Sequence, residues 1–210
     1  MDNSLAEAAA AFQARIGATP EQMADLEAFR QELVAANAVM NLVGPDSLPD
    51  FWNRHVYDSA QLLEREPEAL TWADLGAGAG FPGLVLAILL KGRPGAHVWL
   101  IDSLGKRCRF LEIVVADLDL PATVINGRAE AQALAVEIVT ARALAPLETL
   151  LGYAQPYIKR GAKGLFLKGE KAEVELATAR QSWRVDATLS ASRSDPRGRL
   201  VEVRSLRRVP

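Results

Sequence analysis

The chain has 210 residues, half of them hydrophobic, and carries 24 basic against 26 acidic side chains, a net charge of −2. That length supports one sizeable core with a small helical extension and argues against two large independent domains. One cysteine, Cys108, and 2 histidines leave no internal disulfide and no cluster at metal-ligand spacing, and with no membrane-length apolar run and no signal-peptide pattern in MDNSLAEAAA the expected location is the cytoplasm.

In chain order, residues 4–16 and 20–40 read as two amphipathic helices. Met23, Leu26, Phe29, Leu33, Val34 and Val39 fall near helical spacing, and Thr19-Pro20-Glu21 is a good N-terminal cap. Gly44-Pro45-Asp46-Ser47 is a turn, and a third helix is predicted over 49–64. From residue 70 short apolar runs alternate with helical stretches: LTWADL, 82–91, HVWLID, 104–117, ATVIN, a short helix near 129–134, EIVTAR, 146–159, GLFLKG and 170–180. That alternation marks βαβ units, so the expectation is a doubly wound α/β domain over 70–210, one compact unit behind a helical extension over 1–69. The tail reads as an antiparallel hairpin, VDATLSA and RLVEVRSLRR around Ser194-Asp195-Pro196-Arg197-Gly198, which brings the sheet to about seven mostly parallel strands.

The strongest motif is Asp74-Leu75-Gly76-Ala77-Gly78-Ala79-Gly80-Phe81-Pro82-Gly83, where the first strand should hand over to a long helix. Glycine lets backbone turn sharply and approach a ligand, and proline suits a helix's first turn. Gly78, Gly80 and Gly83 also satisfy the dinucleotide fingerprint, so NAD and S-adenosylmethionine both remain open on spacing. Asp74 favours the latter, because a carboxylate there suits a cationic cofactor and opposes a pyrophosphate. Asp102, ending the second strand, would meet ribose hydroxyls of either cofactor, or would cap the next helix.

Ordered blocks around this loop resemble one family. Asp74 to Leu84, Asp102-Ser103-x-x-Lys106-Arg107-x-x-Phe110-Leu111, Arg128-Ala129-Glu130 and Thr140-Ala141-Arg142-Ala143, with Asn41-Leu42 and Arg54-His55-x-x-Asp58-Ser59 upstream, are similar to the glucose-inhibited division B family of ribosomal RNA guanine-N7 methyltransferases. The resemblance implies a Rossmann-like class I methyltransferase fold, S-adenosylmethionine as cofactor and small-subunit ribosomal RNA, or the small subunit itself, as partner, with no obligate protein partner. It implies cofactor contacts at Gly76, Phe81, Ala129, Glu130 and Arg142, with Gly78 and Asp102 adjoining. Glu137 departs from the family, which usually carries Asp at the start of the fourth strand, and its side chain is longer by one methylene.

Arg142 and Lys168 end the fourth and fifth strands, where ligands gather in an open α/β sheet, and are the expected positioning residues of a reaction that needs no general base and no metal. The net charge hides an asymmetry that suits RNA: residues 1–70 hold 4 basic and 12 acidic side chains, and residues 71–210 hold 20 and 14. Arg54, His55, Lys106, Arg107, Lys163 and Lys168 are the expected RNA contacts. Two other functions stay open on the residues alone. One is an NAD-dependent oxidoreductase, for which no Tyr-x-x-x-Lys pair or His–Asp pair is visible; the other is a non-catalytic RNA-binding assembly factor.

Overall fold

Thr19 opens the longest helix through a reciprocal cap: its side chain accepts from the Gln22 N–H at 3.2 Å, and the Gln22 amide oxygen accepts from the Thr19 N–H at 2.9 Å. Two orphan donors are thereby satisfied, as the cap sequence predicts. The computed structural model of the protein describes residues 3–44, 47–132 and 134–209. Helices α1 (Asn3–Ile16) and α2 (Pro20–Met40) match the two predicted helices. Pro45 and Asp46 of the expected turn lie outside the described residues; beside them the Ser47 N–H donates to the Gly44 carbonyl at 3.0 Å.

The third predicted helix is two pieces, a π-helical turn Phe51–Tyr57 running into α3 (Asp58–Arg65). The wider winding differs from the uniform helix expected over 49–64. Its apolar residues Phe51, Trp52 and Val56 are buried, which lets tertiary packing decide the winding. Such insertions occur often at functional sites.

Strands β1 (Thr71–Leu75), β2 (His97–Asp102), β3 (Ala122–Asn126), β4 (Ile138–Arg142) and β5 (Lys163–Lys168) pair in parallel. Helices α4 (Gly83–Leu90), α5 (Gly105–Asp117), α6 (Leu147–Ile158) and α7 (Ala172–Ser182) connect or follow them, and Ala129–Ala131 forms a 3-10 turn. The tail forms β6 (Trp183–Ala191) and β7 (Arg199–Arg208), with β7 inserted antiparallel between β5 and β6. The order is β3-β2-β1-β4-β5-β7-β6, the seven strands and C-terminal antiparallel hairpin that the alternation predicts.

Every residue of α4, GLVLAILL, is buried, as expected of a helix that is apolar all round. One core face joins Leu26, Phe29 and Leu33 of α2 to Leu84 and Ile88 of α4 and to Trp72 and Leu100 of the sheet, so the N-terminal helices share the sheet's core. The other face packs Leu150, Leu151 and Tyr157 of α6 and Leu176 of α7 on Val139 and Phe166. Strand order reverses between β1 and β4. Their carboxyl ends part there, and an open α/β sheet places its ligand in that crevice.

Candidate active site

The loop after β1 is held down from beneath by two carboxylates. Asp74 is fully buried, and its Oδ2 accepts the Gly83 N–H at 2.8 Å. Asp102 accepts the Gly78 N–H at 2.9 Å on Oδ2 and the Leu104 N–H at 2.8 Å on Oδ1, so it braces the loop and the start of α5 together. Gly76, Gly78 and Gly80 all adopt positive φ, which glycine takes without strain. At Gly76 a Cβ would lie 2.4 Å from Leu144 Cδ1, whereas at Gly78 it would meet nothing nearer than the Gly76 carbonyl at 3.6 Å. The Gly78 turn therefore leaves open space beside its backbone.

That space belongs to a cleft of about 960 Å³. Small-molecule sites span about 300–1,000 Å³, so one cofactor fits with room for part of a second reactant. Gly76, Gly78 and Phe81 form its floor, and Arg142 and Lys168 stand at the ends of β4 and β5. The π-helical turn contributes Arg54 and His55 to one wall, and the turn between β6 and β7 forms another.

Arg142 is the best-anchored group in the cleft. Its Nη1 donates to the Arg54 carbonyl at 3.0 Å and to Asp58 Oδ2 at 3.3 Å, and its Nη2 bonds His55 Nδ1 at 2.8 Å. The guanidinium also lies 4.7 Å from the Phe81 ring centroid, a cation–π distance. His55 stacks on the same ring at 4.6 Å, with 17° between the planes. Burial draws the Arg142 pKa down and Asp58 draws it back up; the group stays charged. Asp58 is shared, since its Oδ1 accepts from Ser194 Oγ at 2.5 Å and from Gln61 Nε2 at 2.9 Å. The β6–β7 turn is thus tied to the residue that holds Arg142.

Several expected contacts do not line this cleft. Asp74 and Asp102 lie behind the glycine loop and bond its N–H groups. Ala129 and Glu130 follow β3, two strands from β1; the Ala129 carbonyl accepts Tyr157 OH at 2.8 Å, and Glu130 pairs with Arg128 at 3.2 Å. Lys106 is exposed on α5, with Arg107 beside it on the cleft. Lys168 is in place but occupied, donating to the Ala145 carbonyl at 2.9 Å and pairing with Glu175 at 2.7 Å. Lys163 begins β5, at the opposite end of the sheet, where it pairs with Glu66. Glu137 is at that end too, with Oε2 accepting the Leu70 and Thr71 N–H groups and the Thr71 hydroxyl at 2.7–2.8 Å. Among the described residues no group of three His, Cys, Asp or Glu side chains could hold a metal ion, and no helix is long and apolar enough to cross a membrane.

The model of a family described as GidB, rRNA small subunit methyltransferase G, matches residues 22–195. The chain belongs to this family. A relative from Caulobacter vibrioides, named ribosomal RNA small subunit methyltransferase G, is 58% identical over 201 residues, 96% of this chain and 93% of its own. One of the same name from Methylorubrum extorquens is 45% identical over 192 residues, 90% of this chain and 91% of its own. Among solved structures, the cofactor-bound protein Rv0187 from MTB superposes with a TM-score of 0.60 at 16% identity, over 92% of this chain and 94% of its own. The magnesium protoporphyrin IX methyltransferase from Synechocystis PCC 6803, solved with bound SAM, gives 0.56 at 12% identity, over 90% and 99%. These likenesses establish the methyltransferase fold.

Ser192 and Ser194 were not found from the sequence, and Arg197 and Arg199 were legible only as part of the basic tail, not as residues that line the cleft from the β6–β7 turn. The turn itself was legible, but its approach to α3 depends on β7 inserting beside β5. Asp58 carried a signal, since it sits four residues after Arg54 on one helical face.

Proposed function

We propose that this protein transfers the methyl group of S-adenosylmethionine to N7 of a guanine in small-subunit ribosomal RNA. The observation that carries the reading is the open Gly78 turn facing anchored Arg142 at the point where strand order reverses. S-adenosylmethionine supplies an electrophilic methyl group on a sulfonium centre. Gly76, Gly78 and Phe81 would hold it against the loop, and the fixed charge of Arg142 suits its carboxylate. Asp74 and Asp102 keep the loop in shape from below.

A guanine N7 is a lone-pair acceptor with no proton to remove. The cleft matches such a nucleophile. His55, its one imidazole, already accepts from Arg142 on Nδ1, so its remaining nitrogen carries hydrogen and offers no lone pair. Lys168 is held by Glu175 and a carbonyl, and acts as a fixed charge at the rim. What the chain supplies is position: holding two reactants in line at about 3–3.5 Å is worth roughly 7–11 kcal/mol of barrier.

The test is methylation of small-subunit ribosomal RNA by the purified protein, with the product nucleoside identified by mass spectrometry. 7-Methylguanosine is expected. A methylated exocyclic amine would overturn the choice of N7, and RNA left unmodified in both free and subunit form would overturn the activity.

A further inference from the structure

Three arginines from distant stretches of chain stand at the mouth of the cleft: Arg54 from the π-helical turn, Arg107 from the first turn of α5, and Arg197 from the β6–β7 turn. Arg54 is exposed, and its guanidinium makes no hydrogen bond or ion pair among the described residues. Arg107 has Asp102 at 3.7 Å as its carboxylate neighbour; Arg197 has Asp195 at 3.5 Å, with 71% of its side chain exposed. The Arg197 pair is exposed on both sides and worth about 0–1 kcal/mol, so an incoming anion replaces it at little cost, while Arg107 keeps part of its side chain exposed beside buried Asp102. The deeper cations differ, because Arg142 and Lys168 are committed to internal partners.

We infer that Arg54, Arg107 and Arg197 form a rim that grips backbone phosphates on either side of the target nucleotide, and that this rim delivers the base into the cleft. The inference rests on the RNA-methyltransferase reading above. Charge complementarity supports a polyanion here: three permanently charged, planar donor forks surround one opening. Among the described residues that line the cleft six are Arg or Lys and four Asp or Glu, a basic balance that the segment 1–70 as a whole, with 12 acids against 4 bases, lacks. Phosphate contacts fix register without reading sequence, so the division of labour is plain. The rim positions the strand, and the cleft selects the base.

The full-length protein with Arg54→Gln, Arg107→Gln and Arg197→Gln, singly and together, is compared with wild type for binding to small-subunit ribosomal RNA across a salt series. Affinity for S-adenosylhomocysteine and thermal stability are measured on the same samples. Each lost phosphate contact should flatten the slope of log affinity against log salt by about 0.7–0.9, so the triple variant should lose roughly two to three units. Its KM for RNA should rise at least about tenfold at moderate salt while S-adenosylhomocysteine affinity and melting temperature hold. Lys163→Gln, at the far end of the sheet, should leave the slope unchanged. An unaltered slope in the triple variant, an equal effect from Lys163→Gln, or a loss explained by weaker S-adenosylhomocysteine binding would each overturn the rim. Wild type that binds RNA with a steep salt slope yet never methylates it would instead overturn the parent reading and leave the rim standing.

Discussion

Nη2 of Arg142 lies 2.8 Å from Nδ1 of His55, and because a guanidinium only donates, this one contact assigns the imidazole as neutral with hydrogen on Nε2. Burial, then the positive charges of Arg142 and Arg54, push the His55 pKa down to about 3. Protonation would turn the acceptor into a donor facing a donor. The histidine is therefore a fixed prop for Arg142 and not a proton carrier.

The first prediction follows from that state. A histidine whose folded pKa lies below its unfolded value of about 6.5 contributes stability that is present above pH 6.5 and fades as pH falls toward 3. Wild type should lose melting temperature along that limb, and His55→Gln should flatten it. His55 should add no pH dependence to single-turnover methylation between about pH 6.5 and 8.5, since it does not titrate there, and any change in that window that Asp74→Asn removes belongs to Asp74. A rate that climbs with pH and levels in His55→Gln would show the histidine acting as a base.

Asp74 has the opposite sign. Burial raises its pKa to about 7, against the pull of the Gly83 N–H and of Arg142, and a buried Oδ1 without a partner explains why ionisation is costly. Its favourable protonated form is fully present below the unfolded value near 3.8 and is lost as pH rises through 7. Asp74→Asn keeps an acceptor for Gly83 and carries no charge, so its unfolding free energy should exceed that of wild type increasingly from pH 4 to 8. The gain should be of the order of a few kcal/mol. Urea unfolding at three pH values measures it, and parallel curves for the two proteins would contradict the assignment.

Gly76 and Gly78 should separate folding from binding. Alanine at Gly76 carries a Cβ into Leu144 as well as a positive φ, and should lower stability by about 2 kcal/mol or more without any ligand. Alanine at Gly78 meets open space and should cost only the positive-φ penalty, about 1–2 kcal/mol. Its side chain enters the cleft, so S-adenosylmethionine at about 100 times the wild-type dissociation constant should no longer add the roughly 2.7 kcal/mol expected of it. NAD should stabilise none of the three proteins. Thermal melts with and without each ligand decide the matter, and an intact S-adenosylmethionine shift in Gly78→Ala would move the cofactor away from this turn.

The sheet was legible because β1, β4 and β5 are buried on both sides and read as short, mostly apolar runs, while the glycine loop needs its composition to turn at all. Strand order was not legible, since no local pattern tells β1 to lie beside β4. Arg142 was found because it ends a strand, and the same rule bears on Lys163: a residue that begins a parallel strand lies at the far end from the cleft. Asp74 and Asp102 were singled out by type, but whether a carboxylate points up at a ligand or down at a loop N–H depends on the loop's fold. Arg197 was invisible as a cleft residue, because its turn is brought there by long-range bonds between Ser194 and both Asp58 and Asn53 and between Arg193 and Gln61.

Glu137 supplies the last prediction, on stability alone. Its Oε2 gathers three donors, the Leu70 N–H, the Thr71 N–H and the Thr71 hydroxyl, which ties the start of β1 to the start of β4 at the end of the sheet remote from the cleft. Burial pushes its pKa up, but those donors outweigh it, and the carboxyl is held below the usual range. The group thus adds stability above its unfolded pKa that is lost as pH falls through the lower folded value. Glu137→Ala leaves two backbone N–H groups to water and should cost about 0.5–1.5 kcal/mol. Glu137→Asp keeps the carboxylate one methylene short of the same donors, so its cost should fall between alanine and wild type. Neither change should alter S-adenosylhomocysteine affinity, because neither touches the loop after β1. Urea unfolding beside calorimetric titration measures both quantities, and a loss of cofactor affinity in Glu137→Ala at temperatures where it remains folded would return this carboxylate to the active site.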